Sequence, residues 1–197
     1  MDLGLLRDRD PAVVSDPDRA AAVLVPVSEG PTGPELVFIE RAATLAEHAG
    51  EMSFPGGGAE PFDRDRQATA VRESGEEIGL RPEEIGFAGR LDDVRTTTGY
   101  AVSPFVARVP PRRYEPGDGE VASVVSLPVE AFLDAENHAY EPREHPEYGH
   151  VPVHHFRVGG YTIWGATARI LVQLLSLGTD WSPPDPPARP LGELLGD

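Results

Sequence analysis

Three glutamates, Glu73, Glu76 and Glu77, lie close together in the run RESGEEIGL. On a helix, positions i, i+3 and i+4 share one face, so the three carboxylates would be neighbours. Like-charged neighbours cost about 0.2–0.5 kcal/mol for each pair, and Gly75 inside the helix costs about 1 kcal/mol relative to alanine. Selection for stability alone does not favour this combination. Hard divalent cations such as Mg²⁺ or Mn²⁺ do require clustered carboxylate oxygens.

The neighbouring residues favour a metal site over the alternative, a solvated acidic helix face in an acidic protein. A Pro-Gly-Gly turn at residues 55–57 precedes the helix, and Gly56 would let a backbone carbonyl approach a cation without a side chain in the way. Gly79, directly after the glutamates, is typical of a helix end. Another face of the helix, which we expect to pack on a sheet, contains Ala68, Val71, Gly75 and Ile78.

Strand and helix signals surround this segment and must position it. Helices are predicted at residues 66–78, 129–133 and 166–177. Strands are predicted at residues 20–27, 35–41, 52–57, 87–93, 102–109, 121–127, 153–158 and 161–164. The acidic stretch 134–152 is interpreted as a long loop. Residues 1–19 are predicted to be an N-terminal extension, 20–180 one domain and 181–197 a proline-rich tail. This order of elements predicts an α+β fold or a mixed sheet between helices.

Composition excludes several classes of function. The 197 residues include 33 acidic and 17 basic ones and no cysteine, for a net charge of −16. Such a surface repels nucleic acid and anionic membranes, so a phosphate-bearing substrate would need local arginine or metal. Without cysteine there is no disulfide scaffold, thiolate zinc site or cysteine nucleophile. No apolar run has the length of a membrane span and no signal peptide is evident, so we predict a soluble, cytoplasmic protein with no nucleic-acid or membrane partner.

The glutamate segment resembles the Nudix hydrolase signature, G-x5-E-x7-R-E-U-x-E-E-x-G-U, where U is aliphatic. The second half of the signature is matched by Arg72, Glu73, Glu76, Glu77, Gly79 and Leu80. Ser74 departs from it, because an aliphatic residue is usual there. Counting forward from Gly57 places Asp63 at the first glutamate, with one extra residue before Arg72; an aspartate can replace that glutamate.

Residues 41–57 resemble an additional motif of the coenzyme A pyrophosphatase branch of this family. Arg41, Leu45, His48, Gly50 and the run FPGG fall at matching spacings. That branch also shows the extra residue inside the signature. Further similarities at residues 98–104, 119–121 and 163–168 extend the resemblance over about residues 20–177.

The resemblance implies a Nudix fold, an α/β/α sandwich with a mixed β-sheet between helices. It also implies Mg²⁺- or Mn²⁺-dependent hydrolysis of coenzyme A or acyl-CoA to 3′,5′-ADP and (acyl-)4′-phosphopantetheine. The implied metal ligands are Glu73, Glu76, Glu77 and the Gly56 carbonyl. The implied catalytic residues are Glu73, Glu76, Glu120 as a candidate general base, and Arg72 orienting a carboxylate. The implied substrate contacts are Arg41, His48 and Gly57.

Two other hypotheses stay open. In the first, the protein is a Nudix hydrolase whose substrate is a different nucleoside diphosphate derivative, such as ADP-ribose, NADH or a dinucleotide. In the second, it has the Nudix fold but has lost catalysis and acts as a ligand sensor. In each case the expected partner is a small nucleotide. A homodimer is left open as the assembly.

Overall fold

The computed structural model describes residues 1–15, 17–43, 50–117, 119–145 and 149–196. The strands are β1 (Arg19–Gly30), β2 (Gly33–Arg41), β3 (Met52–Ser53), β4 (Gly56–Gly58), β5 (Gly86–Arg90), β6 (Val94–Arg95), β7 (Tyr100–Arg108), β8 (Val121–Pro128), β9 (His138–His145), β10 (Gly149–Val158) and β11 (Tyr161–Trp164). The helices are α1 (Arg66–Ile78), α2 (Val129–Leu133), α3 (Gly165–Gly178) and α4 (Leu191–Leu195).

A mixed sheet forms the centre of the fold, with β1 in the middle. This strand pairs antiparallel with β2 and β4 and parallel with β7. A parallel pair needs a crossover connection, and here the crossover contains α1. Strands β3 and β8 pair with β2, whereas β5 and β6 pair with β7. A second, antiparallel sheet has the order β11-β10-β9.

Helices cover both faces of the central sheet. Along β1, alternate side chains enter different hydrophobic clusters: Val25 packs in one and Leu24 in the other. The cluster around Leu24 contains Ile78 of α1, and the cluster around Val25 contains Leu171 of α3. The expected α+β architecture, with a mixed sheet between helices, is therefore confirmed. Helix α1 consequently lies over β1 and β4, which positions its glutamates.

The prediction of a long loop at residues 134–152 is wrong, because β9 and the first part of β10 form an antiparallel hairpin there. Two prolines, which disfavour strands in the sequence, explain the error. Pro142 and Pro152 lie opposite each other in one cross-strand pair. The two residues that lack an N–H donor therefore affect only this one pair of the β9–β10 ladder. At the start of β9, Ala139 is fully buried.

Both terminal segments pack against the rest of the molecule. In the N-terminal segment, Leu3 and Leu6 join the cluster under α3, and the Val14 N–H donates to the Asp93 carboxylate at 2.9 Å. In the C-terminal segment, Leu194 of α4 is 2% exposed. None of the helices in the described part of the chain is long and apolar enough to cross a membrane.

Candidate functional site

Helix α1 provides three candidate carboxylates, and both of its ends are capped. The Asp65 carboxylate accepts a hydrogen bond from the Ala68 N–H at 2.8 Å, which satisfies one of the first-turn donors. At the other end Gly79 has φ 63°, and its N–H donates to the Gly75 carbonyl at 3.1 Å. The predicted bounds of this helix are confirmed.

Glu77 lies on the buried face of α1 and is only 3% exposed. Its Oε2 accepts a hydrogen bond from the Gly56 N–H of β4 at 2.8 Å. A Cβ on Gly56 would come within 2.3 Å of the Ala22 carbonyl oxygen, and the Gly56 φ is 153°. Glycine is therefore required at this position, and its N–H supplies a backbone donor to a buried carboxylate.

The predicted packing face of α1 is displaced. The buried residues of this helix are Thr69, Ala70, Ser74, Glu77 and Ile78, so of the predicted face only Ile78 is buried. Glu77 belongs to the buried face rather than to a separate acidic face, because β4 supplies it with a donor. The Ser74 hydroxyl is satisfied within the helix, since it donates to the Ala70 carbonyl at 2.6 Å.

Glu73 lies directly against the glycine strand. A Cβ on Gly57 would come within 2.6 Å of the Glu73 Cδ and Oε1 atoms, so only glycine leaves space for this carboxylate. Burial raises the pKa of Glu73, although its ion pair with Arg72, at 2.9 Å, opposes the rise. The carboxylate therefore pays a desolvation penalty that a nearby cation would reduce.

Arg72 joins the other acidic groups of the site. Its Nε and Nη2 donate to the two oxygens of Asp63 at 3.1 and 3.0 Å, and its Nη1 donates to Glu76 at 3.0 Å. Hydrogen bonds from Arg72 are the largest cause that lowers the pKa of Asp63 to about 2. Glu76 is about half exposed, whereas the side chain of Asp63 is 5% exposed. The guanidinium thus fixes the orientation of the Asp63, Glu73 and Glu76 carboxylates.

Arg41 and Glu120 meet where β2 and β8 approach each other. The Arg41 Nη2 lies 3.9 Å from the Glu120 Oε2, and the Ala42 N–H donates to the Glu120 carbonyl at 2.8 Å. Val121, next to Glu120, packs in the hydrophobic cluster that α1 covers. Arg41 and Glu120 therefore lie at the edge of the sheet face against which α1 packs. His48, the third predicted substrate contact of the sequence, lies outside the described residues.

The sequence analysis missed Gly117, which anchors the loop before Glu120 to the end of α1. Its N–H donates to the Glu77 carbonyl at 2.8 Å. A Cβ on Gly117 would come within 1.9 Å of the Glu76 carbonyl oxygen. The glycine-rich run at residues 117–119 was the available signal, but sequence alone does not show what such a turn packs against.

The carboxylates fit a hard divalent cation in their chemistry. Within the described ranges, no three acidic or imidazole groups converge as the ligands of one ion. A cation held by Glu73 and Glu77 would therefore complete its coordination with water and substrate oxygens, as Mg²⁺ commonly does. The buried, oxygen-only donors favour this arrangement, and the raised pKa of Glu73 is the property that a cation would reverse.

We predict that Gly57→Ala weakens divalent-cation binding by about 10- to 100-fold, because the new methyl group displaces the Glu73 carboxylate. Titration calorimetry with Mn²⁺ measures the effect. Gly58→Ala is the matched control, since a Cβ there has nothing within 4 Å, and it should bind Mn²⁺ as the wild type does. Equal affinity in the two variants would contradict the assignment of Glu73 as a ligand.

Comparison with known proteins agrees with this geometry. The model of the NUDIX domain matches residues 17–150. The chain is 39% identical to the uncharacterised Nudix hydrolase NudL of Cronobacter sakazakii over 79% of this chain and 81% of that protein. It is 37% identical to the mitochondrial Nudix hydrolase 15 of Arabidopsis thaliana, over 82% of this chain and 61% of that protein.

Among solved structures, a MutT/nudix family protein from Enterococcus faecalis matches with a TM-score of 0.53 and 15% identity. The match covers 84% of this chain and 61% of that chain, and it shows a shared fold. Nudix hydrolases generally use divalent metal ions. The domain match includes the strands and the helix that form the carboxylate site. Together with the identity to these relatives, it shows that this chain belongs to the Nudix hydrolase family.

Proposed function

We propose that this Nudix hydrolase uses Mg²⁺ or Mn²⁺ to cleave the diphosphate linkage of coenzyme A or acyl-CoA, giving 3′,5′-ADP and (acyl-)4′-phosphopantetheine. The coarser activity, hydrolysis of a nucleoside diphosphate derivative, follows from family membership. The observation that carries the proposal is the placement of Glu73 and Glu77 against the glycines of β4. Carboxylates beside unobstructed backbone are suited to a cation that also binds a substrate phosphate.

The chain's own residues have separate tasks in this reaction. Glu73 and Glu77 would hold the metal, which when bound would neutralise the diphosphate and lower the pKa of a coordinated water. Roles for Glu76 and the Gly56 carbonyl as further ligands stay predictions. Arg72 keeps the carboxylates oriented. Gly57 leaves room for Glu73 and for a substrate at the surface of β4. A net charge of −16 makes such neutralisation necessary, because the protein repels a free diphosphate.

Glu120 is our candidate for the general base that deprotonates the attacking water. Sixty per cent of its side chain is exposed, and it lies beside Arg41, so it is accessible to a bound substrate. Its carbonyl accepts a hydrogen bond from the Ala42 N–H, next to Arg41. Arg41 is our candidate for contacting a substrate phosphate, because its cationic side chain is 25% exposed and lies beside Glu120.

The choice of coenzyme A as the substrate is the most specific part of the proposal. It rests on the resemblance of residues 41–57 to the motif of coenzyme A pyrophosphatases. The two ends of this segment lie in β2 and in β4, so it extends from Arg41 to the glycines beside Glu73 and Glu77. A motif in this position is suited to substrate selection. The contribution of His48, the cytoplasmic location and a homodimer stay predictions.

The first test is a product assay with coenzyme A, an acyl-CoA, ADP-ribose, NADH and a diadenosine polyphosphate, each with Mg²⁺ or Mn²⁺. We expect release of 3′,5′-ADP from coenzyme A, measured by anion-exchange chromatography. Glu77→Gln should lower the rate by about 10²-fold or more, because the amide oxygen still accepts from Gly56 but carries no charge. The control, Glu83→Gln, changes an exposed glutamate that lies 3.5 Å from Arg81.

The outcomes of this assay separate the hypotheses. Cleavage of a different substrate, with the same loss in Glu77→Gln, would refute coenzyme A as the substrate and leave the diphosphatase chemistry intact. Binding of nucleotide and metal without any turnover would instead favour the sensor hypothesis. Equal rates for Glu77→Gln and the wild type would remove this carboxylate from the metal site.

The second test concerns the general base. Glu120→Gln should lower kcat by about 10²-fold, with a much smaller change in KM. Glu115→Gln is the matched control, because Glu115 is an exposed glutamate of the same connection and pairs with Arg113 at 3.0 Å. A normal kcat in Glu120→Gln would show that the base lies elsewhere.

A further inference from the structure

Phe62 is an exposed aromatic side chain next to the carboxylate site. It is 74% exposed, more than the other large hydrophobic residues of the described chain that reach the surface. Its ring centroid lies 5.6 Å from the Arg72 Cζ, so the guanidinium stands against the ring. Since most of the residue is accessible to solvent, the opposite face of the ring is open. An apolar ring in this position has no role in the packing of the core.

The surroundings of Phe62 favour an uncharged ligand over an anion. The positive charge of Arg72 is offset by Asp63, Glu73 and Glu76, each within 3.0 Å of it. A phosphate group would therefore meet more negative than positive charge. A flat, neutral ring would experience no such repulsion and could stack on the open face of Phe62. Stacking of a base on an aromatic side chain contributes about 1–3 kcal/mol per base.

The surface at the end of β4, before the turn that carries Phe62, is also open. An added Cβ on Gly58, the last residue of β4, would meet nothing within 4 Å. The Gly58 carbonyl and Phe62 both contact Arg72. The same guanidinium donates to Glu76 and pairs with Glu73, so one arginine side chain separates the ring from the carboxylates. A nucleoside can span that separation with its diphosphate at the glutamates.

We propose that Phe62 is the stacking platform for the purine base of the substrate. This inference rests on the proposed function for the placement of the diphosphate, and it adds the residue that contacts the base. A purine is favoured over an acyl chain because the open face of Phe62 is planar and rigid, which gives a flat ring a full contact area. Arg72 contacts one face of the Phe62 ring and orients it, so the opposite face stays available for the base.

The test compares binding of AMP with binding of ribose 5-phosphate, which lacks the base, by titration calorimetry in the presence of Mg²⁺. The variants are Phe62→Leu, which keeps an apolar side chain without a ring, and Phe62→Tyr, which keeps the ring. Phe87→Leu is the control, because Phe87 is a partly exposed phenylalanine in β5 whose ring contacts Phe105. A thermal melt of each variant establishes that it is folded.

We expect AMP to bind the wild type more tightly than ribose 5-phosphate. Phe62→Leu should weaken AMP about 5- to 100-fold, leave ribose 5-phosphate unchanged, and lose the preference for AMP; Phe62→Tyr and Phe87→Leu should keep it. Equal affinity for the two ligands in the wild type, or unchanged AMP affinity in Phe62→Leu, would overturn the proposal. Lost self-association in Phe62→Leu with unchanged AMP binding would assign Phe62 to a contact between copies instead.

These measurements need no turnover, so they fail independently of the proposed reaction. If no diphosphate is hydrolysed but AMP binding depends on the Phe62 ring, the stacking site stands and the reaction is refuted. If coenzyme A is hydrolysed and Phe62→Leu leaves the AMP affinity unchanged, the proposed reaction is supported and the stacking site is refuted.

Discussion

The guanidinium of Arg72 lies among acidic groups that would separate without it. It makes two hydrogen bonds to Asp63 and one to Glu76, and it pairs with Glu73. Charge-assisted hydrogen bonds contribute about 1.5–3 kcal/mol each, whereas repulsion between neighbouring helix carboxylates costs about 0.2–0.5 kcal/mol. The attraction therefore exceeds the repulsion, and the helix tolerates a charge pattern that lowers its own stability. The positions of Glu73, Glu76 and Asp63, and the orientation of Phe62, depend on where this one side chain is held.

A second constraint acts on Glu77 and separates it from the other glutamates. A fully buried carboxylate without a partner is very costly, and here the Gly56 N–H of β4 supplies a donor. That contact also sets the distance between α1 and β4, because any side chain at Gly56 or Gly57 would clash with β1 or with Glu73. The glycines therefore have a packing role as well as the role expected from their flexibility. The result is a carboxylate set that is oriented before any cation binds.

Local signals explain what the sequence analysis predicted well. The bounds of α1 follow from a capping Asp65 and a left-handed Gly79, both readable in the sequence. The buried face of α1 was not predictable in this way, because the donor that makes Glu77 a packing residue lies in β4, 21 positions earlier. The strand β9 was missed for a similar reason: the prolines argue against it until their partner strand is known. Contacts between distant segments decide these features.

The account depends most on the claim that the carboxylates form an incomplete cation site that a diphosphate completes. The most direct measurement is calorimetric titration of Mn²⁺ into the protein, alone and with the non-hydrolysable analogue adenosine 5′-(α,β-methylene)diphosphate. The account predicts weak Mn²⁺ binding alone, binding tightened by about tenfold or more with the analogue, and loss of both in the Glu73→Gln/Glu77→Gln double variant. An Mn²⁺ affinity that the analogue does not change, or Mn²⁺ binding that persists in the double variant, would contradict the account.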